Sequence, residues 1–357
     1  MTLKKQTIRI KDIAEKANVS TGTVDRVLHN RGRVAEEVRQ KVLRIVDELS
    51  YEPNLIARTL GSNRTYRLAA LVPDANSDEY WQAPESGINQ ATRELNKFGI
   101  SVSKYIFNQF DAASFIQKAQ ELTQHQPDGI LIAPLFYRES LQFFSLWHEM
   151  QIPFVLFNTQ IAEFEPLSYI GQDSYQSGLL AGKLINYGQS EKDKTFIVAH
   201  IEEDIHNSAH LLKKEQGFRD YFAQSENIMG DYQIIRADLH TSESNLEKQI
   251  DQLFEKFPNI KGFFVTTSRA HVIAAYLQQR QLTQIRLVGY DLLKSNLHYL
   301  QKGIIDFLIN QNPKGQGYHG IQNLADYLVF KKQVSAIKYL PLDIVTKENV
   351  QYYHHAD

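Results

Sequence analysis

The sequence predicts an α/β chain in three parts: an N-terminal helix-turn-helix domain of three helices, a short hinge helix, and two doubly wound parallel α/β lobes. Three observations carry this expectation. Apolar residues recur at helical spacing in three short segments before residue 50. From residue 67 onward, short apolar runs alternate with amphipathic helical segments, the pattern of parallel sheets covered on both faces. And 357 residues are too many for one domain of ordinary size.

In the first segment Ile10, Ile13, Ala14 and Ala17 fall on one helical face. Asn18-Val19 makes a tight connection, and Ser20 is suited to cap the next helix, because its hydroxyl can accept from an otherwise unsatisfied backbone N–H. In that second helix, residues 20–29, Val24, Val27 and Leu28 pack inward, leaving Thr21, Gly22, Asp25 and Arg26 outward. A third helix, residues 36–49, supplies Val38, Val42, Ile45, Val46 and Leu49 to a small core. Two short helices joined in this way form a helix-turn-helix, whose second helix lies in the major groove of DNA. Arg26 is then the obvious donor to a guanine edge, and Thr21 offers a methyl or hydroxyl contact. Gly22 has no side chain to read with but permits close backbone approach. Thr23 is better placed for phosphate than for a base, and Asp25 would repel phosphate unless it accepts from a cytosine amino group. Arg9 and Ala35 stand where N-caps are expected; Glu36 and Glu37 can compensate for the second through the helix dipole.

Charge is unevenly distributed. Residues 1–64 hold 13 Lys/Arg against 8 Asp/Glu, and the remainder 26 against 33, so a basic end adjoins an acidic body. The chain has no cysteine, which excludes disulfides, thiolate metal sites and cysteine nucleophiles and suits a cytoplasmic location. No apolar run approaches the about 18 residues of a membrane helix, and the N-terminus has no apolar signal-peptide core. Nothing resembles a P-loop, a GxSxG elbow or an HExxH site, so no catalytic residue, cofactor or metal is expected. His206 and His210 are spaced to share a helical face, but no third ligand accompanies them; flanking a ligand cleft is the alternative.

In the body, strands are expected at residues 68–72, 102–107, 129–133, 154–157, 195–201, 232–236, 262–266, 287–290, 305–309 and 342–345. Helices are expected at 87–97, 113–125, 140–150, 175–187, 211–223 and 270–279. Two such α/β units joined by a hinge enclose a cleft, and ligands of doubly wound sheets bind at the carboxyl ends of strands.

The order Ile13-Ala14, Val19-Ser20, Thr23-Val24, Arg26-Val27-Leu28, Tyr51-x-Pro53-Asn54 and Ala57-x-x-Leu60 closely resembles the headpiece and hinge of the lactose-repressor (LacI/GalR) family of bacterial regulators. The rest of the chain resembles that family's periplasmic-binding-protein-like core. The resemblance implies a headpiece at 1–52, a hinge helix and linker at 53–66, and an effector and dimerisation domain at 67–357. Its lobes would comprise about 67–169 plus 304–333, and 170–303 plus 334–357. It implies double-stranded operator DNA as partner, contacted by Ser20, Thr21, Gly22, Thr23 and Arg26 and by the hinge residues Asn54, Ala57 and Leu60. Leu60 would wedge into a minor-groove base step, kinking the duplex. Residues 54–61 are too few for a stable isolated helix, so the hinge would order only on DNA beside a second subunit.

For the effector site the resemblance points to Tyr80, Trp81, Asn158, Lys214, Thr267, Asp291 and Gln311. Asp291 can accept from two neighbouring sugar hydroxyls, and Gln311 can donate and accept. Tyr80 and Trp81 suit either stacking on a pyranose or core packing. Asp173 suits either a helix cap or a ligand contact. Two positions depart from the family: Lys214 replaces an arginine, and Thr267-Ser268 replace the usual Asn-Asp. The expectation is a homodimeric regulator, not an enzyme, whose operator affinity is controlled by a small molecule, a carbohydrate first. A nucleobase co-repressor, or a solute-binding protein serving a transporter, are the alternatives.

Overall fold

The computed structural model describes residues 8–28, 31–49, 51, 64–161, 163–190, 193–201, 207–224, 231–240 and 246–353. Asn54, Ala57, Leu60 and His206, expected above to be functional or cleft-flanking, lie outside them. The chain divides into two units, Met1–Arg64 and Thr65–Asp357.

The first unit contains α1 (Ile10–Ala17), α2 (Thr21–Leu28) and α3 (Glu36–Glu48). Ile13, Ala14, Ala17, Val24, Val27, Val42 and Ile45 form its core, the inward set that the helical spacing requires. Arg9 does not weaken the start of α1, because the Asp12 carboxylate accepts from the Arg9 backbone N–H at 2.7 Å. Asn18 ends α1 in the left-handed region at φ 56°, a conformation its short polar side chain tolerates. Ser20 Oγ accepts from the Thr23 N–H at 3.1 Å, which starts α2.

The second unit opens with β1 (Tyr66–Pro73), a 3-10 turn at Glu79–Trp81 and α4 (Gln82–Leu95). There follow β2 (Ile100–Phe107), α5 (Ala112–Gln124), β3 (Gly129–Ile132), α6 (Tyr137–Glu149), β4 (Phe154–Phe157) and β5 (Ser168–Gly171). The chain then forms α7 (Ser174–Asn186), β6 (Asp193–Ile201), α8 (Ala209–Gln224), β7 (Asp231–Leu239), α9 (Leu246–Lys256), β8 (Ile260–Val265), α10 (Ala270–Gln279), β9 (Arg286–Tyr290), α11 (Lys294–Gln301) and β10 (Phe307–Asn310). It ends with α12 (Pro313–Leu328), β11 (Ile337–Tyr339) and β12 (Asp343–Val345).

Two six-stranded sheets result, ordered β11-β5-β4-β3-β1-β2 and β12-β10-β9-β8-β6-β7. The two orders repeat one another, and every pairing is parallel except β10 with β12. In each sheet the strand order reverses at the first strand, so a crevice opens at the carboxyl ends of β1 and β3 in one lobe and of β6 and β8 in the other. Each sheet carries apolar clusters fully removed from water, with Trp147, Phe144 and Phe154 among the residues in the first lobe and Phe218, Phe264 and Tyr290 in the second. Their strands accordingly read as continuous apolar runs.

The lobe boundaries differ from expectation. A crossing near residue 304 does not occur, because β10 pairs in parallel with β9 in the second sheet, Leu308 opposite Gly289. The Asp306 N–H already donates to Leu287 O at 3.0 Å. The chain therefore leaves the second lobe only after Asn310, and α12 packs on β3, β4, β5 and α4 of the first. Nor does the chain cross near residue 333: β11 joins the first sheet, Ile337 opposite Tyr169, and only β12 returns to the second.

Each lobe also contains one unusually close helix crossing. A Cβ on Gly178 of α7 would lie 2.0 Å from Lys214 O, and one on Gly217 of α8 would lie 2.0 Å from Tyr175 O. Gly87 of α4 and Gly317 of α12 repeat the arrangement in the first lobe, at 2.0 Å from Lys314 O and 2.2 Å from Pro84 O. Backbone blocks the added carbon, so only helix displacement can accommodate it. Gly217→Ala should cost about 1–3 kcal/mol or more of stability. Thermal unfolding checks this, and an unchanged Tm would contradict so tight a crossing.

Candidate functional site

In the first unit, α2 turns Thr21, Gly22 and Arg26 outward as exposed residues, while Thr23 and Asp25 are half-buried. The Thr23 hydroxyl lies 3.0 Å from Ser20 Oγ, so both side chains take part in starting the helix as well as flanking its outer face. A Cβ at Gly22 would meet only Ser20 Oγ, at an ordinary 3.7 Å. Packing within the unit therefore does not require glycine there. Asp25 faces inward enough to act on Tyr51, whose phenol is pushed up by burial and then by the Asp25 charge.

In the second unit, the carboxyl ends of the strands meet across a cavity. It is lined from the first lobe by Asp78, Tyr80, Trp81, Gln109, Leu135 and Asn158, and from the second by His210, Lys214 and residues 266–269, with Gln311 at the crossover. The local reasons are legible in the backbone. Asn158 and Asp291 directly follow β4 and β9 at φ 67° and 64°, sharp left-handed turns that Asn and Asp tolerate better than other residues with a Cβ. Asp78 caps the 3-10 turn by accepting from the Tyr80 N–H at 2.9 Å, bringing Tyr80 and Trp81 to the wall.

The aromatic wall is held rather than loose. Trp81 Nε1 donates to Gln109 Oε1 at 2.8 Å, and its ring packs edge-on against Tyr80 with centroids 4.8 Å apart. The Asn158 amide donates to the Tyr80 hydroxyl at 2.7 Å, and burial, followed by the nearby Asp291 charge, pushes that phenol well up. Tyr80 and Trp81 thus pack in the core and line the cavity at once.

Asp291 is 1% exposed. Its Oδ2 accepts from Ser268 Oγ and from Gln311 Nε2, each at 2.6 Å. Burial raises its pKa, opposed by Ser268, the Lys214 charge and Gln311. Gln311 Oε1 in turn accepts from Gln172 Nε2. Among the described residues, three buried side-chain oxygens have no hydrogen-bond partner: Asp291 Oδ1, Thr267 Oγ1 and Gln172 Oε1. Lys214 donates to Thr266 O at 2.9 Å and its Nζ lies 3.7 Å from the centre of the Tyr290 ring. Asp173 acts as a helix cap, its Oδ1 accepting from Tyr175 and Gln176 N–H groups.

Several contacts at this site join the two lobes. Arg269 pairs with Asp78 at 3.2 Å and stacks over Phe110. Glu79 accepts from the Lys294 N–H, Glu139 accepts from the Asn207 amide at 3.0 Å, and Thr159 Oγ1 meets His210 Nδ1 at 3.1 Å. The lobes are thus in contact on both flanks of the cavity. Asp78, Arg269, Thr159 and Asn207 carried no signal in the sequence, because their roles depend on which strand ends face one another. Among the described residues, no group of three or more His, Asp or Glu side chains is placed to hold a metal.

Residues 69–332 match the family described as "Periplasmic binding protein domain", and residues 9–54 match "Bacterial regulatory proteins, lacI family". A crystal structure from Bacteroides fragilis, assigned as a LacI transcriptional regulator, superposes with a TM-score of 0.73 at 32% identity. The match covers 82% of this chain and all of that one. The chain belongs to the LacI family. It is a DNA-binding transcriptional regulator with a two-lobed periplasmic-binding-protein-like domain, and its relatives are regulators, not enzymes. LacI-family relatives include the HTH-type transcriptional regulator MalR of Streptococcus pneumoniae, 26% identical over 82% of this chain and 85% of its own. The ribose operon repressor of Halalkalibacterium halodurans is 26% identical over 79% and 80%. GanP, a glucose-galactose binding protein from Geobacillus stearothermophilus, shares the fold at a TM-score of 0.70 and 22% identity, covering 81% of this chain and 99% of GanP. No helix among the described residues is long and apolar enough to cross a membrane.

Proposed function

We propose that this LacI-family regulator is a cytoplasmic homodimeric repressor of a roughly palindromic operator, released or engaged by a carbohydrate bound between its lobes. In this reading Ser20, Thr21, Gly22, Thr23 and Arg26 face the major groove, and Asn54, Ala57 and Leu60 act from the paired hinges in the minor groove. Asn158, Lys214, Thr267, Asp291 and Gln311 take the sugar hydroxyls, and Tyr80 and Trp81 form the apolar wall.

The observation that carries the effector reading is a set of buried, partnerless oxygens: Thr267 Oγ1 on the wall of the aromatic-lined cleft, and Asp291 Oδ1 and Gln172 Oε1 just behind it, on side chains hydrogen-bonded to the lining residues Ser268 and Gln311. Buried polar atoms without partners are costly, and Asp291 Oδ1 and Gln172 Oε1 are acceptors that hydroxyl donors would satisfy. A polyhydroxylated ring with one apolar face supplies both kinds of complement. The naming of one relative as a ribose operon repressor supports the sugar class.

Because effector and operator each favour one arrangement of the lobes, their affinities are coupled reciprocally. Calorimetric titration with pentoses, hexoses, sugar phosphates and purines tests the ligand class. Saturable binding of a sugar supports the reading; binding of a purine alone overturns it.

A further inference from the structure

We propose that Asn207 clasps the two lobes together by capping helix α6 across the cleft, so that a residue outside the cavity governs how slowly the cleft releases its ligand. The release half of this inference rests on the effector reading above; the clasp itself does not.

α6 begins at Tyr137, and its N-cap position is filled by Phe136, which has no side-chain acceptor and makes no capping hydrogen bond. The N–H groups of a first helical turn have no partner within their helix, and a side-chain oxygen at the cap is the usual remedy. Here the oxygen comes from the other lobe. Asn207 stands between β6 and α8, and its Oδ1 accepts from the Arg138 N–H at 3.1 Å. Its Nδ2 donates to Glu139 Oε2 at 3.0 Å. Arg138 and Glu139 are the second and third residues of α6, where N-caps and their acidic partners act. Only one amide orientation serves both contacts, because the N–H must meet the oxygen and the carboxylate must meet the NH2.

The position of this contact makes it depend on closure. The chain passes between the lobes after β5, β10 and β11. β3, from which α6 departs, is two strands from β5 in the first sheet, roughly 10 Å at ordinary strand spacing. β6 is three strands from β10 in the second sheet. A rotation of one lobe about the three crossings therefore pulls Asn207 away from α6, and the helix loses its cap. Both side chains are half-buried, and neither is among the residues lining the cavity. A ligand enclosed by the lobes leaves only after they part, so the clasp slows its escape without touching it.

The test is amide exchange read by mass spectrometry on the full-length protein, in peptides covering the start of α6. Wild type is compared with Asn207→Ala, Asn207→Asp and the double variant Asn207→Asp/Glu139→Gln. The aspartate keeps an acceptor for the Arg138 N–H but sets a second carboxylate against Glu139. Adding Glu139→Gln restores a donor there, with the donor and acceptor exchanged between the lobes. Exchange at the start of α6 is expected to be about three- to tenfold faster in Asn207→Ala. It should also be faster in Asn207→Asp and return toward wild type in the double variant, with unchanged circular dichroism throughout. Asn207 lies in one lobe and the readout in the other, so a local defect at the substituted residue does not produce this pattern.

Unchanged exchange in Asn207→Ala would overturn the clasp, as would a folded double variant that exchanges as fast as Asn207→Asp. A sugar found by the calorimetric panel should leave Asn207→Ala about three- to tenfold faster than wild type in stopped-flow displacement. Equal release rates would overturn the release half. Absence of sugar binding would count against the effector reading and leave the exchange comparison standing, so the two failures are distinguishable.

Discussion

Replacing Arg26 with alanine is expected to reduce specific operator affinity by about 2–6 kcal/mol in a dimer, because each subunit loses one arginine–guanine contact worth about 1–3 kcal/mol. Arg26 is exposed on α2, in line with Thr21 and Gly22, while Val24 and Val27 on the opposite face are buried. The substitution removes a long exposed side chain and no core contact, so the three-helix unit should remain folded by circular dichroism. Anisotropy titrations at fixed salt against operator and random duplex separate the outcomes. Specific affinity should fall toward the nonspecific level. An equal loss on both duplexes would instead make Arg26 a phosphate contact.

The second large effect is expected at Asp291. In Asp291→Ala the Ser268 hydroxyl and the Gln311 amide lose their shared acceptor, and the oxygen left open in the protein disappears with them. Hydrogen bonds to a charged acceptor contribute about 1.5–3 kcal/mol each, so effector affinity should drop by two orders of magnitude or more. Operator affinity without effector should change little, since Asp291 belongs to the second unit and the residues of α2 to the first. Calorimetry and operator binding on the same preparation check the two halves of that statement. Retained effector affinity would place the ligand elsewhere than against this carboxylate.

Much of the headpiece was legible because its determinants are local. Three helices announce themselves by apolar spacing, and Ser20 caps the second, as its residue type and position require. The capping of the Arg9 N–H by Asp12 is equally local, but it is carried by the residue three beyond the cap position and not by the cap residue itself. In the body, long apolar strands such as those beginning at Leu68 and Thr195 stood out. The short strand Ile337–Tyr339 did not: Ile337 and Tyr339 are 46% and 47% exposed, so no buried run marks it. That strand and the continuation of β10 in the second sheet put the crossings later in the chain than the expected 304 and 333.

The same division holds at the cleft. Asn158 and Asp291 could be read as strand-end residues because the strands before them are strongly apolar. Asp78, Arg269 and Thr159 could not, since each matters through a partner more than 50 residues away across the lobes. The glycine pairs Gly87–Gly317 and Gly178–Gly217 belong with them. Each glycine is unremarkable in its own helix and is explained only by the backbone it meets.

The central claim is that a ligand between the lobes controls the grip on DNA, and operator affinity measured with and without the sugar panel tests it most directly. One sugar shifting the operator Kd by tenfold or more, about 1.4 kcal/mol of coupling, and losing that effect in Asp291→Ala, is the predicted result. An operator Kd unmoved by any sugar that calorimetry shows to bind would contradict the account.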